Sequence, residues 1–489
     1  MSKINEYLKN NFEKYTEDIG VVYRENEEYL GITNKQIYGY VNSLVWYLKD
    51  KVNAPQNIAI IGGNKVEWLL AFWATFGYVG NVLAIDKELN QDEILKIFDK
   101  VKPDLIIIDD DLPLTFKEYE TLRFSDIPKI IKEEKEIVLQ NQELTSHSGE
   151  LFLHTSGTTG VQKIVKLTED NLFGAIPELN ERWEVNHKDS CLFIIPLYHI
   201  YALTTLFHSM YAGIKIILEN DYKRMDQVLQ TTKPTLFMGV PLMYNKVKEA
   251  VLSKNEKLIK SMIALSNCLL KIGIDIRKKL FKKVHDYFGG NYFFGCSAGS
   301  LLSYDTNKFF NDIGLPIYNV YGMTETAGPV AMNYKKNNDY NSVGKILNIN
   351  NVKIKNADSE GIGEIWVKGS NVFQGYLGDE LKEYMKDEYF NTGDIGYIKN
   401  DFLYVLGRKK NILIGDNGKN IAPEELIRKL VKHNGINDCN ILMRDNKLYA
   451  IINSDLSQEN IKNIIDEVNK KLPNYKKIFD FEITNKNIK

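Results

Sequence analysis

Short apolar runs alternate with longer segments of helical period through the first quarter of the chain. Asn57-Ile58-Ala59-Ile60-Ile61 reads as a buried strand, because both faces of its pleat are apolar. A helix is expected over about 65–78, and Val82-Leu83-Ala84-Ile85 reads as the next strand. An amphipathic helix near 91–101 and the strand Asp104-Leu105-Ile106-Ile107-Ile108 complete the series. Strand, helix, strand, helix, strand at this spacing predicts a parallel α/β layer. The stretch 68–85 is nearly all apolar and long enough to imitate a membrane span. Gly77 and Gly80 interrupt it and Glu67 stands at its head, so it reads instead as a buried core helix followed by a strand. Towards the end of the chain the pattern predicts a helix at 423–433, strands near 438–443 and 447–453, and a helix at 457–471, a small α+β unit.

Length and charge narrow the classes. With 489 residues the chain exceeds one ordinary core, so two or more domains are expected. Sixty-two basic residues against 64 acidic ones leave almost no net charge, which speaks against a nucleic-acid partner. Cys191, Cys268, Cys296 and Cys439 lie far apart without metal-type spacing and read as reduced thiols. The opening Met1-Ser2-Lys3-Ile4-Asn5-Glu6 lacks the apolar core of a secretion signal, so a cytoplasmic protein without a transmembrane segment is expected. The charge runs 129–135 and 277–283 read first as solvated helix faces. The second also has the character to graze an anionic membrane or the phosphates of CoA.

The richest chemistry lies in His154-Thr155-Ser156-Gly157-Thr158-Thr159-Gly160-Val161-Gln162-Lys163, directly after Leu151-Phe152-Leu153. Glycines allow a tight turn whose free N–H groups make a nest for anions. The hydroxyls add donors, and Lys163 supplies a cation suited to phosphate. Composition alone also permits a solvated hairpin loop. The pattern is not that of a P-loop NTPase, since the glycines stand too close together and no Ser or Thr follows Lys163.

The order of this segment resembles the phosphate loop of the adenylate-forming superfamily of acyl-CoA ligases and luciferases, with Gln162 where proline is usual. Further segments similar to that family follow in its order. They are Pro196-Leu197-Tyr198-His199, Ser297-Ala298-Gly299-Ser300-Leu301-Leu302, Tyr321-Gly322-Met323-Thr324-Glu325-Thr326, Thr392-Gly393-Asp394, Gly407-Arg408-Lys409-Lys410-Asn411 and Gly418-Lys419-Asn420-Ile421-Ala422-Pro423-Glu424. The resemblance implies an α/β fold. A large N-terminal domain of layered α/β subdomains, mixed sheets flanked by helices, would span 1–407. A small mobile α+β lid would span 408–489, hinged at Lys410.

It also implies ATP, Mg²⁺ and CoA as reactants. Thr155, Ser156, Gly157, Thr158, Thr159, Gly160 and Lys163 would hold the β- and γ-phosphates. Thr324 would contact the α-phosphate and Glu325 would hold Mg²⁺. Asp394 would accept the ribose hydroxyls, and Arg408 would reach the ribose or phosphate edge. Gly299, Ser300, Tyr321 and Gly322 would lie along the nucleotide, and Gly418 and Lys419 on the lid face used in thioester formation. The acid pocket would be walled by Tyr198, Tyr201, Val240 and Met323 and gated by His199, although a lone histidine is often only a hydrogen-bonded core residue. No acid occurs between Leu197 and Phe207 to pair a substrate ammonium, which argues for a plain carboxylic acid. Val240-Pro241-Leu242-Met243-Tyr244 and Gly418-Lys419-Asn420-Ile421-Ala422-Pro423 are most similar to long-chain fatty acyl-CoA ligases.

One departure stands out. Counted from Leu472-Pro473-Asn474-Tyr475-Lys476, the family's terminal Gly-Lys would fall about five residues beyond Lys489. Lys486 and Lys489 are the nearby substitutes, neither preceded by glycine, and a shortened chain is the other expectation. Three functions follow: a fatty acid–CoA ligase working through an acyl-adenylate, a ligase loading the phosphopantetheine of an acyl carrier protein, and an impaired acyl or nucleotide binder.

Overall fold

The computed structural model describes residues 2–51, 56–138, 146–155, 163–379, 384–411, 413–414, 420–433, 435–444 and 447–484. Contacts divide the chain into two units. The first holds Met1–Tyr340, Gly344–Asn350 and Gly369–Tyr384; the second holds Asn341–Val343, Asn351–Lys368 and Met385–Lys489. The expected hinge boundary at 407–408 falls inside the second.

The first unit contains the predicted parallel layer. Its strands run in the order Thr121–Arg123, Leu105–Ile108, Asn57–Ile61, Asn81–Ile85, Leu151–Thr155 and Lys163–Leu167. All neighbours are parallel except the last pair, an antiparallel hairpin with Thr155 opposite Lys163. Helix Gln91–Val101 is held at its start by a reciprocal Asn90–Glu93 cap. It lays Ile94, Ile97, Phe98 and Val101 on Ile61, Ile85 and Ile108 of the sheet. Each such aliphatic or aromatic side chain removed from water stabilises the layer by about 1.5–3 kcal/mol.

The membrane-like stretch folds as a core element. Helix Val66–Ala74 gives way to a π-turn, Thr75–Val79, and then to strand Asn81–Ile85. Trp68, Phe72 and Phe76 stack in succession at 5.3 and 5.5 Å and are fully buried. Among the described residues, no helix is long and apolar enough to cross a membrane.

A second sheet in this unit carries the later motifs. Its parallel centre runs Ile317–Met323, Phe294–Ser297, Leu236–Gly239, Ser190–Phe193, Lys215–Leu218 and Ile19–Glu25. Antiparallel Gly328–Met332 and Glu28–Thr33 flank it. Asn64, just after strand Asn57–Ile61, ties the sheets together. Its Nδ2 donates to the carbonyls of Phe193 (3.1 Å) and Ile195 (3.0 Å), and its Oδ1 accepts from the Leu197 amide at 2.9 Å.

In the second unit, Asn350–Lys355, Gly363–Gly369, Tyr389–Lys399 and Phe402–Arg408 neighbour one another in that order. Further on, the two expected strands, Ile436–Arg444 and Lys447–Ser454, pair antiparallel, and helices Pro423–Leu430 and Gln458–Lys470 pack on them around Leu426, Ile441 and Ile465. A third strand, Ile478–Thr484, joins parallel to Lys447–Ser454, an addition that the pattern did not predict.

Candidate active site

Nearly every motif of the first unit stands at the carboxyl end of a parallel strand. Tyr321, Gly322 and Met323 end the strand Ile317–Met323. Gly299 and Ser300 follow Phe294–Ser297, Val240 follows Leu236–Gly239, and Tyr198 and His199 come after Ser190–Phe193. These strands are sheet neighbours, so residues more than a hundred positions apart share one sheet edge. That edge of a parallel sheet is where α/β folds hold ligands, because loops and helix starts gather there. Gly322 is required on packing grounds: a Cβ there would lie 1.9 Å from the Gly328 carbonyl oxygen. At Gly299 the backbone is left-handed (φ +83°), and a Cβ would face Val240 Cγ1 at 4.0 Å.

The phosphate-loop residues Ser156, Gly157, Thr158, Thr159 and Gly160 lie outside the described residues, but both ends of the loop are placed. Thr155 and Lys163 close it as register partners. Lys163 Nζ donates to the Tyr384 hydroxyl at 3.1 Å and sits over the rings of Tyr376 (4.6 Å) and Tyr384 (4.5 Å). Tyr376 Oη in turn donates to Glu325 Oε1 at 2.8 Å. Burial, and then the Glu325 carboxylate, raise the Tyr376 pKa, so its hydroxyl stays a donor.

Glu325 is held from three directions. It lies in the 3-10 turn Thr324–Thr326, fastened by Thr326 Oγ1, which accepts from the Met323 amide at 3.0 Å and donates to the Gly328 carbonyl at 2.8 Å. The Phe373 amide donates to the Glu325 carbonyl at 2.8 Å. The segment 373–377 also bonds to strand Lys163–Leu167 through Lys166 to Gly375 and Leu377 to Ile164. One short segment thus joins the lysine arm to the Thr324–Glu325 turn. Among the described residues no group of three or more His, Cys, Asp or Glu could hold a metal ion. A single buried carboxylate still suits Mg²⁺, which commonly takes one or two protein oxygens and completes its shell with water and phosphate.

Tyr198, His199 and His154 stand near an aspartate that the motifs do not contain. Asp86, directly after strand Asn81–Ile85, hydrogen-bonds the Tyr198 hydroxyl, and its amide donates to His154 Nε2 at 3.1 Å. Burial lowers the His154 pKa, which agrees with a neutral ring accepting at Nε2. His199 precedes the first turn of helix Ile200–Ala212 without a side-chain capping bond and meets the Tyr198 ring edge-on at 4.7 Å. Although the side chain reaches solvent, the protein packed around its ring lowers its pKa as well. Tyr201 donates to the Cys296 carbonyl at 3.1 Å and, with Phe193, Ile195 and Met238, lines a small apolar cavity of about 10 Å³.

In the second unit, Thr392-Gly393-Asp394 lies within strand Tyr389–Lys399, at an irregularity of its pairing with Gly363–Gly369 where Gly393 is left-handed (φ +72°) and the Asp394 amide donates to the Thr392 hydroxyl at 3.1 Å. Asp394 is buried and its Oδ1 meets Arg408 Nε at 3.1 Å; Arg408 Nη1 donates to the Thr392 carbonyl at 2.9 Å. The two motifs are adjacent because strands Tyr389–Lys399 and Phe402–Arg408 pair with Asp394 opposite Arg408. Next to them Lys409 binds Glu364 at 2.9 Å. Burial works against ionisation of Glu364, but Lys409, Asn356 and Asn391 hold its pKa below the ordinary carboxylate value. Gly418, Lys419, Lys486 and Lys489 lie outside the described residues.

Sequence reasoning missed Tyr376, Tyr384 and Asp86. The first two stand more than two hundred residues from Lys163 in no segment of recognised chemistry. Asp86 had a usable signal, its place after a parallel strand.

Comparison with known proteins identifies the family and the fold. The profile of the AMP-binding enzyme family matches residues 8–377. The mouse long-chain-fatty-acid–CoA ligase ACSBG2 is 29% identical over 436 residues, 77% of this chain and 65% of the relative. The chain therefore spans about two thirds of that relative's length. The 2-succinylbenzoate–CoA ligase of Lactococcus lactis is 26% identical over 455 residues, 91% of this chain and 90% of that one. Among solved structures, O-succinylbenzoate coenzyme A synthetase from Bacillus subtilis in complex with AMP superposes with a TM-score of 0.77 at 21% identity, covering 98% of this chain and 94% of its own. The same enzyme is also known in complex with ATP and magnesium ion, with a TM-score of 0.77 at 20% identity, covering 98% of this chain and 95% of that one. The match over residues 8–377, which contains the Lys163–Glu325 arrangement, establishes that the chain belongs to the AMP-binding enzyme family.

Proposed function

We propose that the protein joins a carboxylic acid, of the fatty-acid class, to CoA in two steps: attack of the carboxylate on the α-phosphate of ATP, then transfer of the acyl group to the CoA thiol. The observation that carries this reading is the chain of contacts from Lys163 through Tyr376 to Glu325. Attack of one anion on another needs charge neutralised beside the leaving pyrophosphate and oxygens held in line. Lys163 is the cation for the leaving phosphates, released from its two aromatic rings by a stronger anionic partner. Glu325 is the carboxylate for Mg²⁺, an ion that supplies charge neutralisation at the phosphates when bound. Thr324 donates towards the α-phosphate, and Asp394, oriented by Arg408, accepts from the ribose hydroxyls. Gly299, Ser300, Tyr321 and Gly322 line the nucleotide, and Tyr198, Tyr201, Val240 and Met323 line the acid, with His199 at its entrance. The lid runs from Arg408 about a hinge at Lys410, and its Gly418 and Lys419 serve the thioester step.

The apolar lining beside Tyr201, with no acid in its own helix, supports a neutral acyl tail. The Asp86 carboxylate beside Tyr198 already serves the Tyr198 hydroxyl and the Glu88 amide.

The test is product analysis with ATP, Mg²⁺ and a panel of acids, with CoA, with a phosphopantetheinylated acyl carrier protein, or with neither. AMP, pyrophosphate and acyl-CoA from a medium- or long-chain fatty acid are expected. Acyl transfer to the carrier protein while CoA is ignored would reassign the acceptor. Nucleotide binding without pyrophosphate release from any acid would remove the reaction.

A further inference from the structure

The segment 254–283 departs sharply from the rest of the chain in charge. It holds nine basic and two acidic residues, a net charge of +7 in a protein whose whole balance is −2. Its main element is helix Glu256–Lys271, whose inner face is accounted for: Ile259, Met262 and Ile263 pack on the apolar cluster containing Phe281, Phe288 and Phe310. The outer face is not. Leu258 and Leu265 are each 54% exposed and stand seven residues apart, two turns along one line of the helix. Seven residues further, the same line reaches Ile272, 71% exposed. The chain then turns through left-handed Gly273 (φ +82°) and presents Ile274, 49% exposed.

Cations border this aliphatic line on one side and beyond its end. Lys257, Lys260 and Lys271 are exposed along the helix, and Lys278, Lys279, Lys282 and Lys283 are exposed on the short helices Arg277–Leu280 and Lys282–Tyr287. Some have local partners: Lys260 pairs with Glu256 at 2.6 Å, and Lys278 donates to the Gly290 carbonyl at 2.9 Å. Arg277, bound to Asp275 and to the Asn311 carbonyl, is structural.

A single exposed leucine needs no explanation. Three aliphatic side chains in line, with Ile274 just past the turn, beside a concentrated positive field do, because the two features have one common complement. An anionic bilayer offers negative headgroups at the depth of the lysines and acyl chains just below. We propose that the outer face of Glu256–Lys271, continued by Ile272 and Ile274, is a peripheral docking surface for an anionic lipid bilayer. The aliphatic line enters the headgroup boundary and the lysines bind lipid phosphates. This surface is independent of the acid or acceptor assigned above.

Flotation of the whole chain with vesicles tests it. Partition is expected to be at least tenfold stronger into phosphatidylcholine vesicles containing one-third phosphatidylglycerol than into phosphatidylcholine alone, and to weaken with salt. The triple substitution Leu258→Gln, Leu265→Gln, Ile272→Gln should lower partition at least tenfold while leaving the melting temperature and the vesicle-free reaction rate unchanged. Lys257→Gln with Lys271→Gln and Lys279→Gln should weaken binding and flatten its salt dependence. If the triple aliphatic variant does not fold, Leu265→Gln alone with the lysine variant decides. Equal partition into both vesicle types, or wild-type partition by the variants, would overturn the proposal. So would a dimer in vesicle-free sedimentation that the aliphatic substitutions dissolve, since the face would then belong to a second copy.

Discussion

Tyr376 donates its hydroxyl proton to the buried carboxylate of Glu325 over 2.8 Å, and the ring of the same tyrosine lies 4.6 Å from the ammonium of Lys163. One side chain therefore fixes the distance between the acid and the cation on which the proposed chemistry depends. It differs from both in being neutral, so it can hold them apart from each other without competing for the phosphates.

Removing the hydroxyl and removing the ring should have separable effects. Tyr376→Phe loses a hydrogen bond to a charged group, an interaction of about 1.5–3 kcal/mol, and should slow pyrophosphate exchange roughly tenfold or more. Tyr376→Leu also removes the face under Lys163 and should cost a further factor of several, with a raised KM for ATP. Exchange at the wild-type rate in both variants would show that Tyr376 positions nothing.

The Asp394–Arg408 pair predicts a specific nucleotide preference. If Asp394 accepts from the ribose, the wild-type protein should use ATP far better than its 2′,3′-dideoxy analogue. Asp394→Asn should erase most of that preference by weakening ATP use alone, again by about 1.5–3 kcal/mol. Steady-state comparison of the two nucleotides decides, and an undiminished preference in the variant would move the ribose elsewhere.

His208 gives a pH prediction that does not depend on the reaction. It is fully buried, with Nε2 3.2 Å from Asn180 Oδ1, and burial lowers its pKa from 6.5 to about 3. A depressed folded-state pKa means that the unfolded chain binds the proton first. The stability conferred by the neutral ring is complete above the unfolded value of 6.5 and is lost as pH falls towards 3. Between pH 6.5 and 5 the loss from this residue is about 1–2 kcal/mol. His208→Gln should remove that part of the decline in melting temperature, and an unchanged decline would contradict the assignment.

Much of this layout could be read from residue order, and the reasons for the exceptions are physical. The first parallel layer was legible because its strands are buried on both faces and its helix Gln91–Val101 carries a full cap and a regular apolar stripe. Helix Val66–Ala74 stops short of the expected 78 because the chain widens into a π-turn before Gly80, where a Cβ would strike the Gln56 backbone at 2.2 Å. Strand Ile478–Thr484 escaped notice because only its first residue is buried and its pairing is parallel and non-local. Thr324 and Glu325 in the first unit, and Asp394 and Arg408 in the second, were legible as motif residues. Asp86, Tyr376 and Tyr384 were not, since tertiary contacts alone bring them to Tyr198, Glu325 and Lys163.

The most direct measurement is ATP–pyrophosphate exchange dependent on a long-chain fatty acid, compared among the wild-type protein, Lys163→Ala and Glu325→Ala, with circular dichroism melting as the folding control. Fatty-acid-dependent exchange well above that with leucine or phenylalanine is expected, falling at least tenfold in each variant without loss of fold. Wild-type exchange in both variants, or exchange driven by the amino acids instead, would contradict the account.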